Sequence, residues 1–324
     1  MGLVRGHRAK PAALSATETG SELRVLRQRT IKNTINCAGI GLHSGVNTMM
    51  TLRPAPPDTG IVFVRADRGR AAVPARWDHV TETTLGTTLE NADGVTVITI
   101  EHLMAALLGC GIDNLYVELD GPEVPVMDGS SAPFVFLVEC AGIADQDEVR
   151  REIRVLRAVA VSEGEKRLAL TPSSGFSVNL LIDFDNPVVA RQQLYYEAAP
   201  GAFKTYLSRA RTFGFADDVA AMHAAGLARG GSLDNAVVIS GDRVINEDGL
   251  RYEDEFVRHK MLDCIGDLYL AGAPLCGHVE AACSGHRLNN ALLRALFADD
   301  ANWCHQPMPE SAGGWPERAV AARA

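Results

Sequence analysis

The amino-acid sequence predicts an α+β protein of about two domains, on the strength of three observations. The chain has 324 residues, and a domain typically takes ~150 residues. In each half, runs typical of strands are followed by runs typical of helices, which favours α+β layers over one long parallel sheet. Residues 148–154 are dense in charged side chains, as is typical of a domain boundary. We therefore expect one domain over residues 25–150 and a second over residues 151–305.

The elements of the first domain follow from side-chain patterning. Alternating or β-branched runs predict strands at residues 30–36, 48–52, 61–65, 95–98 and 114–119. The run 101–108 predicts a helix with Thr99 as its N-cap, closed by Gly109 and Gly111. A second helix is expected over residues 132–141, after the Asp128-Gly129 turn.

The second domain shows the same pattern of strand-like and helix-like runs. Strands are expected at residues 155–161, 167–171 and 177–184, and helices at residues 201–209, 217–225, 253–270 and 289–297. Residues 1–24 are basic and then rich in Ala, Ser and Thr, and their apolar stretch is too short for a signal peptide. We expect them to form a disordered extension, and residues 306–324 to form a loose tail.

Composition excludes several functional classes. Asp and Glu number 40 against 31 Lys and Arg, a net charge of −9 that argues against binding nucleic acid. The seven cysteines include no C-x-x-C pair, which argues against a disulfide framework and favours reduced thiols in the cytoplasm. No stretch approaches the ~20 apolar residues of a membrane span, so no integral membrane segment is expected.

The clearest chemical pattern is a His–Asp pair. His259 and Asp263 are four residues apart on an expected helix, so they share one face. An imidazole nitrogen and a carboxylate oxygen on one helix face make half of a Zn²⁺ site. Asp267 lies one turn further along. By spacing alone, the pattern also fits a solvated helix with a chance pair.

Two further patterns complete a possible site. Glu101-His102 opens a helix, in the reverse order to the H-E-x-x-H motif of zincins, and His286 follows a glycine turn. Each also fits an ordinary structural role. Taken together with the pair, His102, His259 and Asp263 are too few to close a structural tetrahedral site and suit a catalytic one. Glu101 and His286 would then form an acid–base pair.

Two other segments carry polar groups. Residues 208–215 combine two arginines, a threonine and two phenylalanines, which fits either recognition of an anionic or sugar ligand or a helix cap over an aromatic core. Residues 39–45 form a glycine-rich turn with one histidine. A dinucleotide fingerprint would need glycine at Ser44, so a hairpin turn is the better interpretation.

These motifs resemble those of one enzyme family. Residues 41–45, 99–103, 127–130, 208–215, 246–250, 256–268 and 284–286 are similar, in order, to motifs of the UDP-3-O-acyl-N-acetylglucosamine deacetylases of lipid A biosynthesis. The similarity extends over about residues 28–303. It implies two two-layer α/β sandwich domains packed together, with the active site between them.

The resemblance also implies roles for individual residues. It implies that His102, His259 and Asp263 bind Zn²⁺. The implied catalytic residues are Glu101 as base, His286 as acid, Asp267 orienting it, and Thr212 holding the oxyanion. The implied substrate-binding residues are Phe213, Lys260, His43, Leu85, Gly231 and Val238. Residues 217–238 would form an acyl-chain passage.

The implied activity is removal of acetate from the 2-acetamido group of UDP-3-O-acyl-N-acetylglucosamine by a cytoplasmic monomer. Three residues depart from the family pattern. Cys283 and Gly86 stand where some members have lysine and cysteine, and Arg229 puts a charge near the acyl passage. Two alternatives remain: a non-catalytic module that binds a sugar nucleotide or acyl chain, and a zinc amidase for another N-acetyl sugar.

Overall fold

The computed structural model describes residues 25–310, and its first half, residues 25–149, contains ten strands and two helices. The strands are β1 (Arg27–Ile31), β2 (Ile35–Ile40), β3 (Asn47–Pro54), β4 (Ile61–Arg65), β5 (Ala71–Pro74), β6 (Val80–Glu82), β7 (Thr88–Glu90), β8 (Thr96–Val97), β9 (Leu115–Leu119) and β10 (Ile143–Val149). The helices are α1 (Glu101–Cys110) and α2 (Ala132–Ala141), with short 3₁₀ turns at Ala66–Arg68 and Trp77–His79.

The second half, residues 151–310, contains ten strands and four helices. The strands are β11 (Arg151–Val155), β12 (Val159–Glu163), β13 (Lys166–Thr171), β14 (Phe176–Asp183), β15 (Arg191–Glu197), β16 (Phe213–Phe215), β17 (Val237–Ser240), β18 (Arg243–Val244), β19 (Leu275–Ala282) and β20 (Trp303–Pro307). The helices are α3 (Ala202–Tyr206), α4 (Ala216–Ala224), α5 (Glu255–Leu268) and α6 (His286–Phe297), with 3₁₀ turns at Tyr269–Ala271 and Asp300–Asn302.

The strands form five sheets. The first half has a sheet ordered β2-β3-β9-β4-β5, a second ordered β6-β7-β8, and the pair β1-β10. In the second half, β19 is central: it pairs with β11, β13 and β14 in a seven-stranded sheet, and β16-β17-β18 form a smaller one. Helices and mostly antiparallel sheets therefore occur together, which confirms the α+β class.

Helix α5 joins the layers of the core. It packs against α1, α6, β14 and β15, and nearly all of its residues are buried. Gly266 sits where α5 meets α1: a Cβ atom there would lie 2.1 Å from the Glu101 carbonyl oxygen. Because real Cβ atoms do not approach an oxygen so closely, only glycine at this position allows the two helices to pack this close together.

A ring of three main-chain hydrogen bonds closes the junction between the halves. Leu26 N–H donates to the Met308 carbonyl, Met308 N–H to the Arg150 carbonyl, and Arg150 N–H to the Leu26 carbonyl. Val25 and Pro309 form an isolated bridge beside this ring. The charged segment 148–154 is therefore two strands that meet at Arg150, whose guanidinium pairs with Asp113.

The predictions for the two ends of the chain fall mostly outside the described residues. The predicted extension, residues 1–24, lies outside them. The tail expected from residue 306 is wrong at its start, because β20 continues to Pro307 and Pro309 pairs with Val25. The remainder of that tail, residues 311–324, also lies outside the described residues.

Several predicted elements differ from the structure. The single strand expected at 30–36 is broken, since the N–H groups of Lys32 and Asn33 donate to the loop at residues 141–142. The strand expected at 155–161 is broken in the same way, because residues 156–157 donate to the Asn302 carbonyl. The helix expected at 201–209 is shortened to α3. Thr99 is not the N-cap of α1: Ile100 holds that position, and the Thr99 hydroxyl donates to Glu123.

The division of the chain into two domains stays a prediction. Within residues 25–310, each of the five sheets takes its strands from one half, and the Val25–Pro309 bridge links the halves. Across the same residues, no helix combines the length and the apolar character that crossing a membrane would require.

Candidate active site

Two helices supply the polar residues at the centre of the site. α1 begins with Glu101 and His102, and α5 carries His259 and Asp263 one turn apart on the face that meets α1. The close approach at Gly266 packs the start of α1 against the C-terminal part of α5, one turn beyond Asp263. His102, His259 and Asp263 are all buried, and their ligand atoms lie within 4.8 Å of one another.

The geometry of these three residues fits a metal ion. Asp263 Oδ1 lies 3.6 Å from His102 Nε2 and 3.4 Å from His259 Nε2, and it is a buried oxygen with no hydrogen-bond partner among the described residues. His259 Nδ1 lies 3.1 Å from the Ala210 carbonyl, which leaves Nε2 facing the other two ligands. An unpartnered buried carboxylate oxygen is costly unless a cation satisfies it.

The protonation states also suit metal binding. Burial lowers the pKa of His102 to about 3, with the nearby His259 adding to the effect. Burial likewise lowers the pKa of His259. Burial opposes ionisation of Asp263, but the electrostatic effect of the neighbouring His259 and Lys260 side chains outweighs it and lowers the pKa of Asp263. Neutral imidazoles and an ionised carboxylate are the forms that bind a metal.

Glu101 lies beside this cluster and is itself buried. Its Oε2 accepts a 3.1 Å hydrogen bond from the Thr87 N–H. Burial is the main cause that raises the pKa of Glu101 to about 7. A carboxylate whose pKa is near neutrality can accept a proton and release it again at physiological pH.

His286 opens α6, where it forms a pair with a buried aspartate. Its Nδ1 lies 2.8 Å from Asp267 Oδ2. Burial alone would lower the pKa of His286, but the charge of Asp267 and this hydrogen bond overcome it and raise the pKa to about 9. His286 is therefore protonated at neutral pH, with Nε2–H left to donate.

These groups line a cavity of about 380 Å³. Thr212 and Phe213 form one wall at the start of β16. The Phe213 ring packs edge-on against Phe256, with centroids 4.9 Å apart, and Lys260 Nζ lies 5.8 Å from the centre of that ring. Lys260 Nζ also lies 3.0 Å from Asp263 Oδ2, so it is a cation between the His/His/Asp cluster and the aromatic wall.

The structure brings most of the predicted residues together around this cavity. Those that line it are Glu101, His102, Thr212, Phe213, His259, Lys260, Asp263, His286 and Leu85. Asp267 lies behind His286. Leu85 is half exposed at the rim, in a left-handed conformation with φ 59°.

Three predicted substrate-binding residues lie outside the lining. His43 is buried, and its Nε2 is 3.1 Å from the Leu85 carbonyl while its Nδ1 accepts from the Ala228 N–H at 3.4 Å. These two bonds require the neutral Nε2–H tautomer. Gly231 donates to the Ala228 carbonyl, and Val238 lies within β17. His43 therefore ties the Leu85 loop to the segment that precedes Gly231.

Sequence patterns missed several residues of the site. Thr87 contacts both Glu101 and Asp267, and buried Glu123 accepts the N–H groups of His43 and Ser44. Neither residue belongs to a recognisable local pattern, because their partners are distant in sequence. At the mouth of the cavity, Arg287 forms an ion pair with Glu163. Of these residues, only Arg287 could have been found from the sequence, because it directly follows the predicted site residue His286.

Comparison with known proteins agrees with this geometry. The family model for UDP-3-O-acyl N-acetylglycosamine deacetylase matches residues 28–298. A protein of Pseudomonas entomophila (strain L48) named UDP-3-O-acyl-N-acetylglucosamine deacetylase is 52% identical over 282 residues, which are 86% of this chain and 93% of the relative. The family resemblance of the sequence is confirmed. On its helix-borne His/His/Asp cluster and on these matches, the chain belongs to the UDP-3-O-acyl N-acetylglycosamine deacetylase family.

Proposed function

We propose that this protein hydrolyses the 2-acetamido group of UDP-3-O-acyl-N-acetylglucosamine, releasing acetate and a free 2-amino sugar, as a step of lipid A biosynthesis. The observation that carries the proposal is the placement of Glu101, with a pKa near 7, and His286, with a pKa near 9, around one buried His/His/Asp cluster. Two groups with such different pKa values supply a base and an acid at the same pH.

We infer that the ion held by His102, His259 and Asp263 is Zn²⁺. Two imidazoles and one carboxylate are a ligand set typical of catalytic zinc sites, in which a fourth position stays open. Zinc bound there would supply Lewis acidity towards the acetamide carbonyl and would lower the pKa of water.

The protein's own groups then carry the protons. Glu101 Oε2 already accepts a hydrogen bond from the Thr87 N–H. Oε1 is therefore the oxygen that is placed to take a proton from the water that adds to the carbonyl carbon. The Thr212 hydroxyl, in the cavity wall, is placed to donate to the developing oxyanion. His286 Nε2–H then gives its proton to the nitrogen as the carbon–nitrogen bond breaks.

Substrate contacts follow from the lining. We propose that Lys260 meets an anionic part of the substrate, and that Phe213 and Leu85 pack against its sugar and the start of its acyl chain. We further propose that His43, Gly231 and Val238 act along the acyl passage of residues 217–238. His43 would do so by fixing the loop that carries Leu85.

The setting of the enzyme is part of the proposal. We propose that residues 25–150 and 151–305 are two sandwich domains with the site between them. We also propose that the protein is a monomer. The seven cysteines are free, which supports a reducing compartment and hence the cytoplasm.

The decisive experiment measures bound zinc and acetate release together. The purified chain should hold one zinc per molecule and release acetate from the acylated UDP-sugar, whereas His259→Ala should lose both. His278→Ala, a histidine on β19 outside the cavity, is the matched control and should keep both. Zinc binding without hydrolysis would indicate the binding module instead. Faster hydrolysis of another N-acetyl sugar would indicate the other amidase.

A further inference from the structure

Thr87 is a buried residue, 1% exposed, in the segment between β6 and β7. Its N–H donates to Glu101 Oε2 at 3.1 Å, and its hydroxyl donates to Asp267 Oδ1 at 2.6 Å. One residue therefore bonds both to the base of the proposed reaction and to the partner of its acid. The contact with Glu101 lies within the first half of the chain, and the contact with Asp267 joins the first half to the second.

The hydroxyl contact completes the hydrogen bonding of Asp267. The other carboxylate oxygen, Oδ2, is bonded to His286 Nδ1 and to Asn289 Nδ2, each at 2.8 Å. Both of those donors are on α6. Thr87 thus holds the opposite oxygen from a different part of the fold, and the three contacts together fix the plane of the carboxylate.

We propose that Thr87 is a positioning residue: its hydroxyl orients Asp267 so that His286 Nε2 points at the leaving nitrogen, while its N–H orients Glu101. This inference rests on the proposed function. Without the hydroxyl, Asp267 Oδ1 loses its donor, and the carboxylate is free to rotate together with the imidazole. Misplacing a proton donor by a fraction of an ångström slows transfer without weakening the binding of substrate.

The test compares Thr87→Val, which keeps the shape and removes the hydroxyl, with Thr87→Ser, which keeps the hydroxyl. We expect Thr87→Val to lower kcat by about 10–100-fold with KM within about 2-fold, and Thr87→Ser to recover most of the loss. Thr48→Val is the matched control. Thr48 is equally buried in β3, its hydroxyl has no partner among the described residues, and its replacement should leave kcat unchanged.

A double-mutant comparison separates positioning from a general structural effect. If Thr87 acts through His286, Thr87→Val should cost less than about 2-fold in a His286→Ala background. An equal loss in both backgrounds, a full loss in Thr87→Ser, or wild-type kcat in Thr87→Val would each overturn the proposal. Should Thr87→Val not fold, Thr87→Ala takes its place in the same comparison. A wild-type chain without acetate release would instead refute the proposed function.

Discussion

The contact at Gly266 allows the spacing of the three proposed metal ligands, His102, His259 and Asp263, to be changed without replacing any of them. In Gly266→Ala, the new Cβ would lie 2.1 Å from the Glu101 carbonyl oxygen and 3.1 Å from the Ala105 nitrogen. Ordinary contact starts near 3.4 Å, so α1 and α5 must separate by about 1.3 Å. That shift carries His102 away from His259 and Asp263, whereas metal ligands tolerate only about ±0.2 Å.

We expect Gly266→Ala to weaken zinc binding on the order of 100-fold, and to lower the metal-free unfolding free energy by about 1–3 kcal/mol. Competition with a chromogenic chelator measures the first quantity, and urea unfolding in excess chelator measures the second. Gly214→Ala is the control, because a Cβ there has no neighbour within 4 Å. Wild-type zinc affinity in Gly266→Ala would refute the argument that helix separation sets the site.

Two other predictions concern charge. Because the pKa of Glu101 is raised to about 7 and that of His286 to about 9, kcat/KM should fall below the first value, where the base is protonated, and above the second, where the acid is deprotonated. In pH–rate profiles, Glu101→Ala should lose the acidic limb and His286→Ala the basic limb; unchanged limbs would contradict these roles. Arg211→Met should lower the free energy of unfolding in urea by about 3–5 kcal/mol, because it leaves the buried Glu255 carboxylate without its partner. Replacing the exposed Arg191 should lower it by less than about 1 kcal/mol, and equal losses would contradict the argument.

Local patterns predicted the elements whose own residues carry the signal. The bounds of α2 and β4 agree with the sequence prediction, and α5 differs from its prediction by only a few residues at each end. β19 was missed, because its Gly277, His278 and alanines have little strand preference. It is a strand because β13 and β14 pair with it on both sides.

The residues of the site likewise fall into those that a local sequence pattern indicates and those that only the folded chain brings together. The spacing of His259 and Asp263 within one helix and the Glu101-His102 pair at the start of another were visible as local patterns, and the family resemblance assigned them roles. The bond from Thr87 to Asp267 joins residues 180 positions apart, so only the folded chain shows it. Backbone positions such as the left-handed Thr99, φ 57°, likewise depend on buried partners, here the carboxylate of Glu123.

The ring of main-chain bonds among Leu26, Arg150 and Met308 has a consequence for how the enzyme works. The two halves are joined covalently at Arg150 and a second time by the segment at residues 25–26, so rotating one half against the other would break these bonds. Groups from both halves therefore keep their spacing before any substrate arrives. The entropy cost of gathering them falls on folding, once per molecule, and not on every catalytic cycle.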